Sequence, residues 1–177
     1  MRMRSLLVTG AAGILTLGIA LPATAADTGG TTATITVTGG SLSITVPVDA
    51  GSLGTTADTV GGSSISGVLG QVQVLDARSA VAGSGWVATV ISSAFTPPAG
   101  TTIAASAVGY SAGTITKVGT ATYTANDPSH LTGVVSAVTA TGITGNNSAT
   151  WSPTITVTVP GGMAAAVYYA TITHSVT

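Results

Sequence analysis

Ser152 to Gly162 reads Ser-Pro-Thr-Ile-Thr-Val-Thr-Val-Pro-Gly-Gly, and its alternation decides the fold class. Successive side chains of a strand point to opposite faces, so Ile155, Val157 and Val159 line one face and Thr154, Thr156 and Thr158 the other. A slip of one residue would turn the whole apolar row to water, so the register is firmly set. β-Branched residues favour this conformation over a helix.

The same period of two runs outward in both directions. TATITVTGG (Thr32–Gly40) and SLSITVPVD (Ser41–Asp49) alternate around Gly39-Gly40, which predicts a hairpin with a glycine turn. GQVQVLDA (Gly70–Ala77) alternates again, and GWVATVISS (Gly85–Ser93) is a nearly continuous apolar strand suited to a sandwich core. GTITKVG (Gly113–Gly119) and TATYTAN (Thr120–Asn126) read as two short strands around Gly119. LTGVVSAVTATGIT (Leu131–Thr144) follows the turn at NDPSH (Asn126–His130). In the last strand Tyr168, Ala170, Ile172, His174 and Val176 share one side, and Tyr169, Thr171, Thr173 and Ser175 the other.

Residues 50–70 are rich in Gly and Ser and read as a long surface connection, with a short edge strand at SSISGVL (Ser63–Leu69). TIAASAVGYSAG (Thr102–Gly113) has room for one short helical turn. Nine or ten strands, spaced by Gly, Pro and Asn, predict an all-β fold: a single antiparallel β-sandwich of Ig-like or Greek-key type.

The first 26 residues have another logic. MRMRS is basic, LLVTGAAGILTLGIAL (Leu6–Leu21) is apolar, and PATAA (Pro22–Ala26) ends in an Ala-x-Ala pattern. This predicts a secretory signal peptide at 1–26, helical in its apolar part, ahead of one β-sandwich domain at 27–177. The expected location is secreted and extracellular, with no membrane association after cleavage. An oxidising compartment brings no disulfides here, since the chain has no cysteine.

Beyond Ala26 the chain keeps five Asp, one Arg, one Lys and no Glu. No basic patch is available for phosphate, which argues against nucleic acid as a partner. Solubility rests on Thr, Ser, Asn and Gln. The sequon at Asn146 (Asn-Asn-Ser) matters only in a eukaryotic secretory pathway, and the rest of the chain reads as bacterial.

One motif looks catalytic. GYSAG (Gly109–Gly113) matches the G-x-S-x-G nucleophile elbow, and Ser111, Asp127 and His174 follow the chain order of an α/β-hydrolase triad. The elbow needs a parallel strand before it and a helix after it, whereas TITKVGTATYT follows. Serine hydrolysis is therefore the remote alternative, and the expectation is a non-enzyme. His130 and His174 are the only histidines and lie far apart, and no spacing matches a zinc or calcium motif. No cofactor or metal is expected.

DARSAVAGSGWVATV (Asp76–Val90) holds the residue types that could bind a ligand or fix the core. Asp76 shares parity with Val72 and Val74, so it ends a strand on the apolar side and needs a partner there. Arg78, two residues on, offers a bidentate guanidinium. AVAGSG (Ala80–Gly85) then lets the chain swing over and bring Trp86 to the core. The alternative is that Trp86 stacks on a sugar ring at the surface. Candidate ligand or motif residues are Asp76, Arg78, Trp86, Trp151, Tyr168 and His174.

LGQVQVLDARSAVAGSGWVATV (Leu69–Val90) resembles the proximal motif of WxL-domain proteins of Gram-positive bacteria, in which D-x-R precedes a Gly-rich bend and G-W-x-L. Asp76, Arg78, Gly85 and Trp86 stand at matching positions, and Ala88 stands where the leucine would be. The distal motif resembles YYATITHSV (Tyr168–Val176), through Tyr168, Ile172, Thr173 and Val176, with His174 in place of the second tryptophan. The chain looks most like the high-GC branch of this family, in which GYSAG would belong to a structural Tyr-x-x-Gly turn. The resemblance implies a cell-surface β-sandwich held non-covalently on the cell wall through peptidoglycan. A second possibility is a structural or adhesive surface subunit that pairs edge strands with another surface protein or with itself, since Thr-rich edges with almost no Lys are poorly protected.

Overall fold

The structure is a computed structural model and describes residues 32–177; the expected signal peptide lies outside them. Two long strands dominate it. β3 (Val72–Ser92) and β6 (Val135–Trp151) pair antiparallel along almost their whole length. The other strands are β1 (Leu42–Thr45), β2 (Ser63–Val68), β4 (Val108–Ser111), β5 (Thr116–Ala125), β7 (Thr154–Val159) and β8 (Ile172–Val176). The chain divides after Thr36, and the sandwich described here is the unit Val37–Thr177.

Two antiparallel sheets pack face to face. The larger has the order β1-β3-β6-β5, with β8 also on β3, and the smaller has the order β2-β7-β4. β1 takes Gln73–Asp76 and β8 takes Ala88–Ser92, so they follow one another along one side of β3. A 3₁₀ turn at Ala105–Ala107 is the one helical element among the described residues. The all-β sandwich expected from the alternation is what forms.

Burial follows the parities. Ile155, Val157 and Val159 are buried and the threonines between them are not. Ile172, His174 and Val176 face inward on β8. With Val72, Val74, Trp86, Ala88 and Val90 of β3 and Val138, Ile143 and Trp151 of β6, these rows enclose one core. β2 lies at the expected edge position, and the expected short turn falls at Ala105–Ala107.

Three expectations need correction. Thr32–Gly40 and Ser41–Asp49 do not form a hairpin: residues 32–41 carry no strand, and Gly40 N–H bonds Ala77 C=O at 2.6 Å instead. Gly70–Ala77 and Gly85–Ser93 are not separate strands but the two ends of β3, joined through register shifts between Asp76 and Trp86. The two strands expected around Gly119 are likewise one, β5, which bulges there. Gly119 has φ 88°, and a Cβ on it would stand 2.6 Å from the Asn146 carbonyl oxygen, so only glycine fits the bulge. Eight strands result among the described residues rather than nine or ten, because bulges absorb glycines that a sequence pattern reads as turns.

Candidate functional site

The irregular middle of β3 is built around Asp76. Its carboxylate is fully buried and directly opposite Asn147 of β6. Arg78 Nε donates to Asp76 Oδ1 at 2.9 Å and Nη2 to Oδ2 at 2.9 Å. The Arg78 amide adds a bond to Oδ1 at 3.1 Å, and Asn147 Nδ2 donates to Oδ2 at 3.2 Å. Two oxygens thus accept four bonds, which is the full capacity of a carboxylate. The hydrogen-bonded guanidinium lowers the Asp76 pKa against the opposing effect of burial.

The same guanidinium closes the excursion of the chain. Arg78 Nη2 also donates to the Gly85 carbonyl at 3.2 Å, drawing the two ends of residues 78–85 together. Trp86 then enters the core, where only 2% of it is exposed. Its indole N–H bonds Asn147 Oδ1 at 3.1 Å, and its ring packs against Tyr123 at 5.6 Å between centroids. Tyr123 OH donates to the same Oδ1 at 3.1 Å. Asn147 is therefore a hub, taking the indole and the phenol on its oxygen and giving its nitrogen to Asp76.

A second chain of polar groups crosses the core. Trp151 Nε1 donates to Tyr110 OH at 2.7 Å, and His174 Nε2 lies 3.2 Å from the same oxygen. The phenol oxygen thus meets both the indole N–H and the imidazole, linking β4, β6 and β8. Nδ1 is buried and has no partner among the described residues. Burial lowers the His174 pKa to about 4, so the ring is neutral at pH 7. Burial likewise raises the Tyr110 pKa, so the phenol keeps its proton.

The candidate residues thus divide. Asp76, Trp86 and Trp151 are core, and neither indole can stack on a ligand, which corrects that alternative. Arg78 reaches the surface but is spent on Asp76 and Gly85. Tyr168 and His174 line an open groove of about 910 Å³ between the edges β8 and β2, beside residues 46–58 and 163–171. Asn147 and Tyr123 went unrecognised as site residues, because only the β3–β6 register brings them to Asp76 and Trp86.

Ser111, Asp127 and His174 do not assemble. β4 is an antiparallel strand on which Tyr110 faces inward and Ser111 outward. His174 bonds Tyr110, and Asp127 Oδ1 accepts the Ala112 amide at 2.7 Å. No group of three potential metal ligands occurs among the described residues.

A different surface presents itself on the outer face of the larger sheet. Thr45, Gln73, Thr150 and Thr116 stand in register across β1, β3, β6 and β5, with Gln73 Nε2 bonded to Thr150 Oγ1 at 3.3 Å. The next row is Ser43, Leu75, Ser148 and Val118. Neither row holds a charge.

Comparison with known proteins finds no matching family model, curated protein or solved structure.

Proposed function

We propose that this chain is a secreted, non-catalytic cell-surface module that associates non-covalently with the bacterial cell wall through peptidoglycan. The observation that carries the reading is the pair of uncharged rows on the outer face of the larger sheet. Its row Thr45–Gln73–Thr150–Thr116 offers hydroxyl and amide groups at strand spacing, roughly 4.8 Å apart. A glycan strand presents hydroxyl and acetamido groups, which such a row meets by hydrogen bonds without needing opposite charge. The resemblance of Asp76, Arg78, Gly85 and Trp86 to the WxL motif supports the same reading, with these residues as the support of the sheet rather than the contact.

Co-sedimentation with purified peptidoglycan tests it. The chain is expected in the pellet at a level independent of moderate salt. Gln73→Ala with Thr150→Ala should reduce the bound fraction severalfold while the chain still melts cooperatively well above the assay temperature. A chain that stays in the supernatant, or a double variant that binds as before, would overturn the proposal.

A further inference from the structure

The edge strands β5 and β4 each carry a device that keeps them from pairing. On β5, Lys117 pairs with buried Ala149, so its charge stands at a core-side position, and the bulge at Gly119 breaks the line of the strand. An inward charge and a bulge are both devices that keep an edge from pairing. On β4, the Tyr110 amide bonds the Pro128 carbonyl and the Ala112 amide bonds Asp127. β8 has no such device.

The reciprocal bonds between Val87 and Thr177 settle which way β8 points. Thr173, Ser175 and Thr177 direct their backbone groups to β3, and Ile172, His174 and Val176 direct theirs away. These outward groups find no partner among the described residues. The side chains tell the same story. Ile172, His174 and Val176 are only half-buried, as is Ile65 on β2 opposite, whereas Ile155 and Val157 of central β7 are buried. Ile65, Ile172 and His174 line the groove together with residues 46–58 and 163–171.

The sequence contains a segment shaped for that gap. Thr34 to Thr38 reads Thr-Ile-Thr-Val-Thr, identical to Thr154 to Thr158 of β7. In β7 the pentapeptide is paired on both sides, by β2 and β4. At 34–38 it carries no strand, and Ile35 is 91% and Val37 78% exposed. It has no Pro, Gly or charge to prevent pairing.

We infer that the edge of β8 accepts the segment Thr32–Thr38 of a second copy of this chain as an added strand. The outward amides and carbonyls of Ile172, His174 and Val176 supply the ladder. Ile35 and Val37 share one face and enter the groove, while Thr34, Thr36 and Thr38 face water. Seven extended residues span roughly 23 Å, enough to cover the five of β8. Donor segment and acceptor edge are different surfaces, so the contact is head-to-tail and builds chains or rings beyond the dimer. This inference does not depend on wall binding.

Sedimentation velocity of the secreted chain over a wide concentration range tests it. Oligomers larger than a dimer should grow with concentration. Ile35→Thr with Val37→Thr removes the donor's apolar face outside the sandwich, and should leave a monomer that melts like the parent. Val176→Pro removes one outward N–H that β3 does not use, and should block the acceptor. Mixing the two variants should restore a one-to-one dimer, because each retains the half that the other lacks. A synthetic peptide of residues 32–38 should shorten the assemblies of the parent chain, a readout that needs no variant to fold. A parent chain that is monomeric throughout, or a donor variant that assembles like the parent, would overturn the inference. So would a monomer in which the amides of residues 34–38 are already protected from hydrogen exchange, since the segment would then occupy its own copy.

Discussion

Replacing Arg78 by Ala removes two charge-assisted bonds to Asp76, at 2.9 Å each, and the bond to Gly85 O at 3.2 Å. The Asp76 carboxylate is left buried with only the residue-78 amide and Asn147 as partners. Breaking a fully buried ion pair costs about 3–5 kcal/mol. The Arg78 side chain is 37% exposed, so solvent screens part of the interaction and about 2 kcal/mol is the expected loss. For a body of this size that lowers the melting temperature by about 4–8 °C at pH 7.

The pH dependence adds a second readout from the same experiment. The guanidinium lowers the folded-state pKa of Asp76, so the pair's contribution is complete above the unfolded value, about 3.9, and fades as pH falls through the lower folded value. The gap between parent and variant should therefore be constant from neutral pH to about 5 and shrink toward pH 3. Calorimetric melts across that range measure it. A variant that melts within about 1 °C of the parent at pH 7, or a gap that does not narrow in acid, would refute the account of Asp76 and Arg78 as the clasp of the β3 excursion.

Two other outcomes follow from the geometry. His174 has a folded pKa of about 4 against an unfolded value of 6.5, so the unfolded chain binds the extra proton first. Stability should therefore fall as pH drops from about 6.5 to 4, and nuclear magnetic resonance should find the ring titrating near the lower value; a ring that titrates near 6.5 would contradict the buried placement. Trp86→Phe removes the indole donor to Asn147 while Tyr123 still satisfies that oxygen, so the expected loss is about 1–2 kcal/mol in chemical unfolding. The remaining Trp151 should still emit like a buried indole.

The pattern of β7 and β8 was legible in the chain itself. Alternation of Thr with Ile and Val leaves one consistent assignment of inner and outer faces, and Ile155, Val157, Ile172 and His174 occupy the faces it dictates. Asp76 on an apolar parity, followed by Arg78 two residues on, likewise announced a local ion pair, because the partners are neighbours in sequence. The role of Asn147 was not legible. It depends on a β3–β6 register that holds through bulges between Asp76 and Trp86, and no local pattern counts the residues a bulge absorbs.

Thr-Ile-Thr-Val-Thr occurs twice in this chain, so the two copies share every propensity that residue type can confer. Between β2 and β4 the pentapeptide is a buried central strand, while after Thr32 it stands without a ladder in the described chain. Composition and period determine that such a segment is able to be a strand and which of its faces is apolar. Whether it becomes one is a tertiary decision, because the hydrogen bonds and buried area that stabilise a strand belong to its neighbours.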